Sequence, residues 1–402
     1  MHNYSTSVVI PARNDKQSLQ NVLSSINNQT LLPNQVIIVD SSTNEEVKKF
    51  IEDYNDTIPI IYHHEQKAYP GKARNLGVEL ANGEWIAFLD SKTIPNGDWL
   101  ERYRYLVQAY HSDVVFGVTK FDAKSAFQKA IRATTYGKIG HHTVPGTLIK
   151  KKIFIDSGGF FEHVRMGEDI EWRDRLINNG LNIHKPDKPV VTYYGLSDNF
   201  VSTINKYIKS AYHTARLNIL MNVKDAYLSL VLVLSAIILP KWNYLIGGWD
   251  SNPFFIHHVT KIYIISLVFL FLVYQLFHYL FFRNMTQAIF SRTLRLLLLI
   301  FLTIAALNWN AVIAGWVEDA VFYIPHITKI YVLGVLFSSL IYRGIYLPLN
   351  RKVEPDFLFP FTWVVVGIVG LFLDLVKAPG YIAGAVLSLI RIEFIRVDKI
   401  SN

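Results

Sequence analysis

The feature that constrains this chain most is a change of texture near residue 220. Before it, short apolar runs alternate with amphipathic stretches. SVVIP (7–11), QVIIVD (35–40), IPIIYH (58–63), EWIAFLD (84–90) and DVVFGV (113–118) are β-branched, bounded by turn residues and short enough to be buried strands. Helix-period segments separate them at 16–27, 44–54, 71–81 and 98–110. Such alternation implies an α/β domain with a mainly parallel sheet. Beyond residue 220 the apolar runs lengthen to 226–246, 262–282, 294–317 and 328–349, each near the ~20 residues a hydrocarbon core requires. A last apolar stretch, 357–396, is interrupted by Asp374, Lys377, Pro379 and Gly380, and reads as an interfacial or re-entrant helical pair. The expected organisation is an α/β domain over 1–198, an amphipathic interfacial helix over 199–224, and an all-α transmembrane domain over 225–402 with about four spans.

Charge follows the same division. The net charge of +8 would suit a nucleic-acid partner, but residues 1–200 hold 23 basic and 23 acidic residues, and residues 201–402 hold 17 and 9. The excess therefore sits in the apolar half, which implies a membrane and no nucleic acid. With the first half placed in the cytosol, 14 of those 17 basic residues fall on the cytosolic side, as the positive-inside rule requires. The expected location is a bacterial-type inner or plasma membrane. The absence of cysteine excludes disulfides, thiolate metal sites and a cysteine nucleophile. No secretory signal is expected, because the first apolar run is short and leads into Arg13.

In open α/β sheets, ligands bind at the carboxyl ends of the strands. Three predicted strands run into charged residues there: Arg13, Asp40 and Asp90. The order of motifs sharpens this pattern. SVVIPARND, VIIVDSS, PGKARNLGVELANGEWIAFLDSKTIP (70–95), SGGF (157–160) and GEDIEWRDRL (167–176) together resemble the family-2 inverting glycosyltransferases, whose catalytic domain has the nucleotide-sugar-binding GT-A architecture. The resemblance covers about residues 5–220.

It implies a role for each matching residue. Pro11, Ala12 and Arg13 fall in the nucleotide-cradling loop, and Asp40 is the carboxylate that accepts a hydrogen bond from the base. Lys72 and Arg74, on a helix opening at Pro70–Gly71, face the base and diphosphate, where their charge and the helix dipole suit phosphate. Asp90–Ser91–Lys92 stands where the family has Asp-x-Asp, whose last carboxylate binds Mg²⁺ or Mn²⁺. Lys92 replaces that carboxylate, and Tyr193–Tyr194 occupy the stretch where many relatives supply a metal-binding His. The two departures leave metal dependence open: with Mg²⁺ or Mn²⁺, Asp90 would be the metal ligand, and without one the Lys92 ammonium would neutralise the leaving group instead. Glu168–Asp169 matches the Glu-Asp motif: Asp169 is the expected general base, with Glu168 beside it.

No Gln-x-x-Arg-Trp run, as carried by processive members, occurs in 199–220, so transfer of one sugar is expected. Adjacent histidines on a strand point to opposite faces, so His63–His64, His141–His142 and His257–His258 are poor metal sites. His141 and His142 are acceptor-binding candidates from their place beside VPGT (144–147). The expected partners are a nucleotide-sugar, UDP-linked as is commonest in the family, and a membrane-held lipid or lipid-linked glycan acceptor. Two alternatives stay open: a non-catalytic nucleotide-sugar-binding scaffold in a glycan-assembly complex, for which Lys92 speaks, and a polyprenyl-phosphate glycosyltransferase.

Overall fold

The computed structural model describes residues 4–54, 57–217 and 339–390, with Lys241, Tyr244 and Phe337 besides. By packing, the chain divides into two compact units, Met1–Ile219 with Ser338–Asn402, and Leu220–Phe337. The expected spans at 226–246, 262–282 and 294–317 lie outside the described residues, as do 328–336 and 338 of the fourth. All five sequence motifs belong to the first unit.

The five predicted strands form as β1 (Thr6–Ala12), β2 (Gln35–Asp40), β3 (Ile60–His64), β4 (Trp85–Phe88) and β6 (Val114–Phe121). Between them come α1 (Lys16–Asn27), α2 (Glu46–Glu52), α3 (Pro70–Leu80), β5 (Thr93–Pro95) and α4 (Trp99–Tyr110). Strands β3, β2, β1 and β4 are neighbours and parallel. Alternate residues of each strand serve opposite cores. Val8, Ile10, Val36 and Ile38 pack with Trp85, Trp99 and Tyr103, while Val9, Ile37 and Val39 pack with Phe88, Phe154, Phe160 and Trp172.

The rest of the sheet is mixed. After α5 (Ala126–Ile131) and a π-helical turn over Arg132–Tyr136, strand β7 (His141–Lys150) runs antiparallel to both β4 and β6. The remaining elements are α6 (Lys151–Asp156), α7 (Glu168–Asn178), β8 (Ile183–His184), β9 (Val191–Tyr193) and α8 (Phe200–Arg216). Strand β9 is parallel to β6 and antiparallel to β5. The mainly parallel expectation thus needs its antiparallel insert. Pro145–Gly146 had hidden β7, since proline is normally excluded from an inner strand. Here β6 shifts register between Val115 and Gly117. A Cβ on Gly117 would lie 2.0 Å from the Pro145 carbonyl oxygen, so only glycine lets the two backbones approach.

The C-terminal stretch differs from expectation. In place of a broken pair, Thr362–Ile390 is one 29-residue helix with Pro379 inside it. Among the described residues it contains the one segment, Thr362–Tyr381, long and apolar enough to cross a membrane. One face packs on α8: Phe372 stacks on Phe200 at 4.5 Å, and the Lys377 ammonium lies 5.1 Å from the Tyr207 ring. Val366 joins Ala130 and Ala133 in one small core, and Leu373 joins Ala123 and Ile131 in another. Packing therefore groups this helix with the α/β domain, where hydropathy had drawn the boundary at 225. The reason is shape: small residues on the helix let α8 come close. A Cβ on Gly380 would sit 2.4 Å from the Ile208 carbonyl oxygen. Gly380→Val is accordingly expected to destabilise the protein by about 1–3 kcal/mol through overpacking. A lowered Tm of the purified chain checks this, and an unchanged Tm would show that the helix pair is loose.

Candidate active site

The carboxyl ends of β1, β2 and β4 are laced together by short polar contacts. Asn14, at φ 49°, donates its backbone N–H to Ser42 Oγ at 2.7 Å, and its side-chain oxygen accepts from Thr43 N at 2.9 Å. Asp15 caps α1 by accepting from Ser18 N at 3.1 Å. Its second oxygen lies 3.2 Å from the Lys92 ammonium. Pro11 and Ala12 lie within β1, Ala12 opposite Asp40, and Arg13 is exposed in the loop that follows.

Asp40 is fully buried. One carboxylate oxygen accepts from Ser42 N and Oγ, and the other from the Tyr62 hydroxyl at 2.9 Å. Burial and the bond to Asp40 raise the Tyr62 pKa, so its proton stays on. Lys72 lies 2.6 Å from Glu65, an ion pair that raises the lysine pKa and lowers that of the glutamate. Its charge is therefore partly compensated before any phosphate arrives.

Arg74 is already bonded within the protein. It is buried on α3, and its guanidinium bridges two carboxylates, donating to Asp90 Oδ1 at 2.7 Å and Glu168 Oε1 at 2.9 Å. Burial opposes its charge, but Asp90 and Glu168 outweigh burial and raise its pKa. With both terminal nitrogens occupied, Arg74 is a tie between α3, the end of β4 and α7. The next residue, Asn75, holds the SGGF turn by donating to the Phe160 carbonyl oxygen and accepting from Phe160 N, each at 2.9 Å. Burial, reinforced by the neighbouring Asp169, pushes Glu168 up to about 7 against the pull of Arg74.

Asp169 is different. It stands in the first turn of α7, half-buried, and makes no hydrogen bond or ion pair with the described residues. Trp172, buried against Phe88, Phe154 and Phe160, anchors the helix beneath it. The charge of Asp169 is felt by Tyr136, which shares a hydrogen bond with Tyr207 of α8. Tyr193 lies between this group and the end of β4. Burial, with the charges of Asp90 and Asp15 adding to it, raises the Tyr193 pKa, and its hydroxyl donates to the Gly195 carbonyl oxygen at 3.2 Å. Tyr194 is exposed and donates its backbone N–H to the Lys92 carbonyl oxygen at 2.9 Å.

Lys92 is 48% exposed, so it is not the buried ammonium that replacement of a metal would suggest. His141 and His142 lie on β7, each with Nε2 against a backbone carbonyl, those of Tyr136 and Pro186. Burial lowers both pKa values. The structure therefore links Asp90 to Glu168 through Arg74 and Asp15 to Lys92, sets Asp15 and Asp90 near Tyr193, and leaves Lys72 on its own ion pair. Sequence reading missed Tyr136 and Tyr207, which carry no motif, and Lys206 of α8, whose only visible signal was its contribution to the charge asymmetry.

A divalent cation would need several hard oxygen ligands. Here Asp90 gives one of its oxygens to Arg74, and the Tyr193 hydroxyl keeps its proton. Among the described residues, no three His, Asp or Glu side chains are grouped to hold a metal ion.

The first part of the chain is similar to known proteins. Residues 7–166 match the model for glycosyl transferase family 2. The chain is 26% identical over 191 residues to glycosyltransferase AglE of Haloferax volcanii, covering 44% of this chain and 62% of that protein. It is 27% identical over 193 residues to a pre-mycofactocin glycosyltransferase of Mycobacterium tuberculosis, covering 44% and 40%. It is 26% identical over 113 residues to the poly(ribitol-phosphate) beta-N-acetylglucosaminyltransferase TarS of Staphylococcus aureus, covering 27% and 20%. The chain thus spans less than two thirds of the length of each of these relatives. The crystal structure of TarS 1–349 in complex with UDP-GlcNAc aligns with a TM-score of 0.41 at 20% identity, over 53% of this chain and 67% of that one. The mixed α/β domain fits the GT-A architecture that the sequence motifs imply.

Proposed function

We propose that this protein is a membrane-associated glycosyltransferase that moves one sugar, with inversion, from a nucleotide-sugar to a lipid-linked or other membrane-held glycan acceptor. The observation that carries the reading is the placement of Asp169. It is unbonded and half-buried, next to Glu168, which Arg74 ties to Asp90. A base that must take a proton from an acceptor hydroxyl needs free lone pairs and a fixed position. Asp169 has both. As the hydroxyl loses its proton to Asp169, its oxygen attacks the anomeric carbon from the face opposite the diphosphate, which departs with the bonding electron pair. The relatives' names support glycosyl transfer, and a UDP-sugar is the first donor to try, UDP being the commonest nucleotide in the family that the motifs resemble.

Membrane association is supported by the apolar runs beyond residue 220 and by the exposed stripe of Phe361, Val365, Ile368 and Leu375 at helical spacing on Thr362–Ile390 and just before it. A thermal-unfolding screen of nucleotide-sugars against the detergent-purified chain tests the donor, and transfer to a lipid-linked saccharide tests the reaction. Protection by a donor without any transfer would overturn the reading in favour of the nucleotide-sugar-binding scaffold, and no protection together with no transfer would overturn both.

The donor set around Asp90 also supports catalysis without a divalent cation. Turnover is expected to persist in EDTA, and Lys92→Asp to lower it about 10-fold or more in that buffer. Complete dependence of the native enzyme on Mg²⁺ or Mn²⁺ would reject this role for Lys92.

A further inference from the structure

The charges around Tyr193 do not balance. Asp15 is spent on Lys92, and Asp90 on Arg74. Lys206, reaching in from α8, has its ammonium 5.7 Å from the centre of the Tyr193 ring and forms no ion pair with a carboxylate of the described residues. It is partly buried, and burial lowers its pKa, with the like charges of Lys92 and Arg165 adding to the effect. A desolvated cation without a counter-charge is costly, and such a site gains most when an anion enters it.

Its position is also fixed. The adjacent Tyr207 is held to Tyr136, and Asn199 caps the helix by accepting from Val201 N at 2.8 Å and Ser202 N at 3.3 Å. Thr93 pairs with Tyr193 and Tyr194 N holds the Lys92 carbonyl, so Lys92 is held beside this strand on a different element from Lys206, near enough for its charge to act on the Lys206 ammonium.

We propose that Lys206 and Lys92 form a two-lysine clamp for a diphosphate group, with the Tyr193 ring as its floor. Resting on the glycosyltransferase reading, this makes α8 a donor-binding element and gives Lys206 the larger share of the charge, because Lys92 is already half-compensated by Asp15. A nucleoside diphosphate and a lipid diphosphate present the same group. The binding experiment therefore uses UDP, uridine and farnesyl diphosphate, on the full chain in detergent with EDTA present.

Lys206→Gln is expected to weaken UDP binding about 10- to 100-fold, the loss typical of a hydrogen bond to a charged partner. Lys206→Arg should retain most of the affinity, and uridine should bind both variants like the native protein. The unliganded Tm of each variant controls for folding. If farnesyl diphosphate alone shows the Lys206 dependence, the clamp stands and serves the lipid side of the reaction. Native affinity for both UDP and farnesyl diphosphate in a folded Lys206→Gln protein would overturn the clamp while leaving the glycosyltransferase reading intact. Failure of the native chain to bind UDP, GDP, dTDP or farnesyl diphosphate would overturn both.

Discussion

Arg74→Met is expected to abolish transfer and to destabilise the folded chain by about 3–5 kcal/mol, the usual cost of removing one partner from a buried ion pair. Methionine fills the volume, so the loss is electrostatic. Glu168 would remain buried with the charge of Asp169 beside it and nothing opposite, and Asp90 would lose the contact that positions it. The pH dependence has a definite sign. Glu168 is already raised from 4.5 to about 7 in the folded protein, so the folded state binds its proton more tightly than the unfolded state does. The cost of burying its charge is absent below about 4.5 and grows as pH rises through about 7. Without Arg74 that pKa climbs further. The deficit of Arg74→Met, measured by denaturant unfolding, should therefore be larger at pH 8 than at pH 5. A variant of native stability at pH 8 would show that Arg74 is not the tie.

Asp169→Asn is expected to lower transfer by about 10²- to 10⁴-fold while leaving donor affinity and Tm near native. The stability expectation follows from two small opposing effects. Removing a carboxylate from the first turn of α7 forfeits about 0.3–1 kcal/mol of favourable interaction with the helix dipole. The same change removes the repulsion that helps to raise Glu168. Trp172 stays in its aromatic cluster, so α7 keeps its place. Transfer assays beside nucleotide binding separate the outcomes. Survival of transfer would exclude Asp169 as the base, and loss of donor binding would make it a binding residue.

Strands β1 to β4 and helices α1 to α4 were legible because each is encoded locally: β-branched runs set the strands, and apolar spacing of three and four set the helices. Strand β7 was not, because its Pro145–Gly146 is acceptable only beside the register shift at Gly117, a property of two strands and not of one. Among site residues, the ordered motifs singled out Asp90 and Glu168, and the structure adds that Arg74 bridges the two. For Arg74 the motif suggested phosphate, and its two carboxylate partners, distant in sequence, were not legible from it.

The sequence alone determined the alternation of elements, the division of charge between the halves and the candidate acids in their order. Tertiary structure decided which charges are free. Arg74 meets Glu168 across 94 residues of chain, and Lys206 reaches the Tyr193 ring from a helix that its composition had assigned to a membrane surface. Periodicity records how each segment meets its own backbone and the core. The partner of a charge depends on which distant segment the closed sheet brings beside it, and in this domain that partner separates a structural tie from a group left free to act.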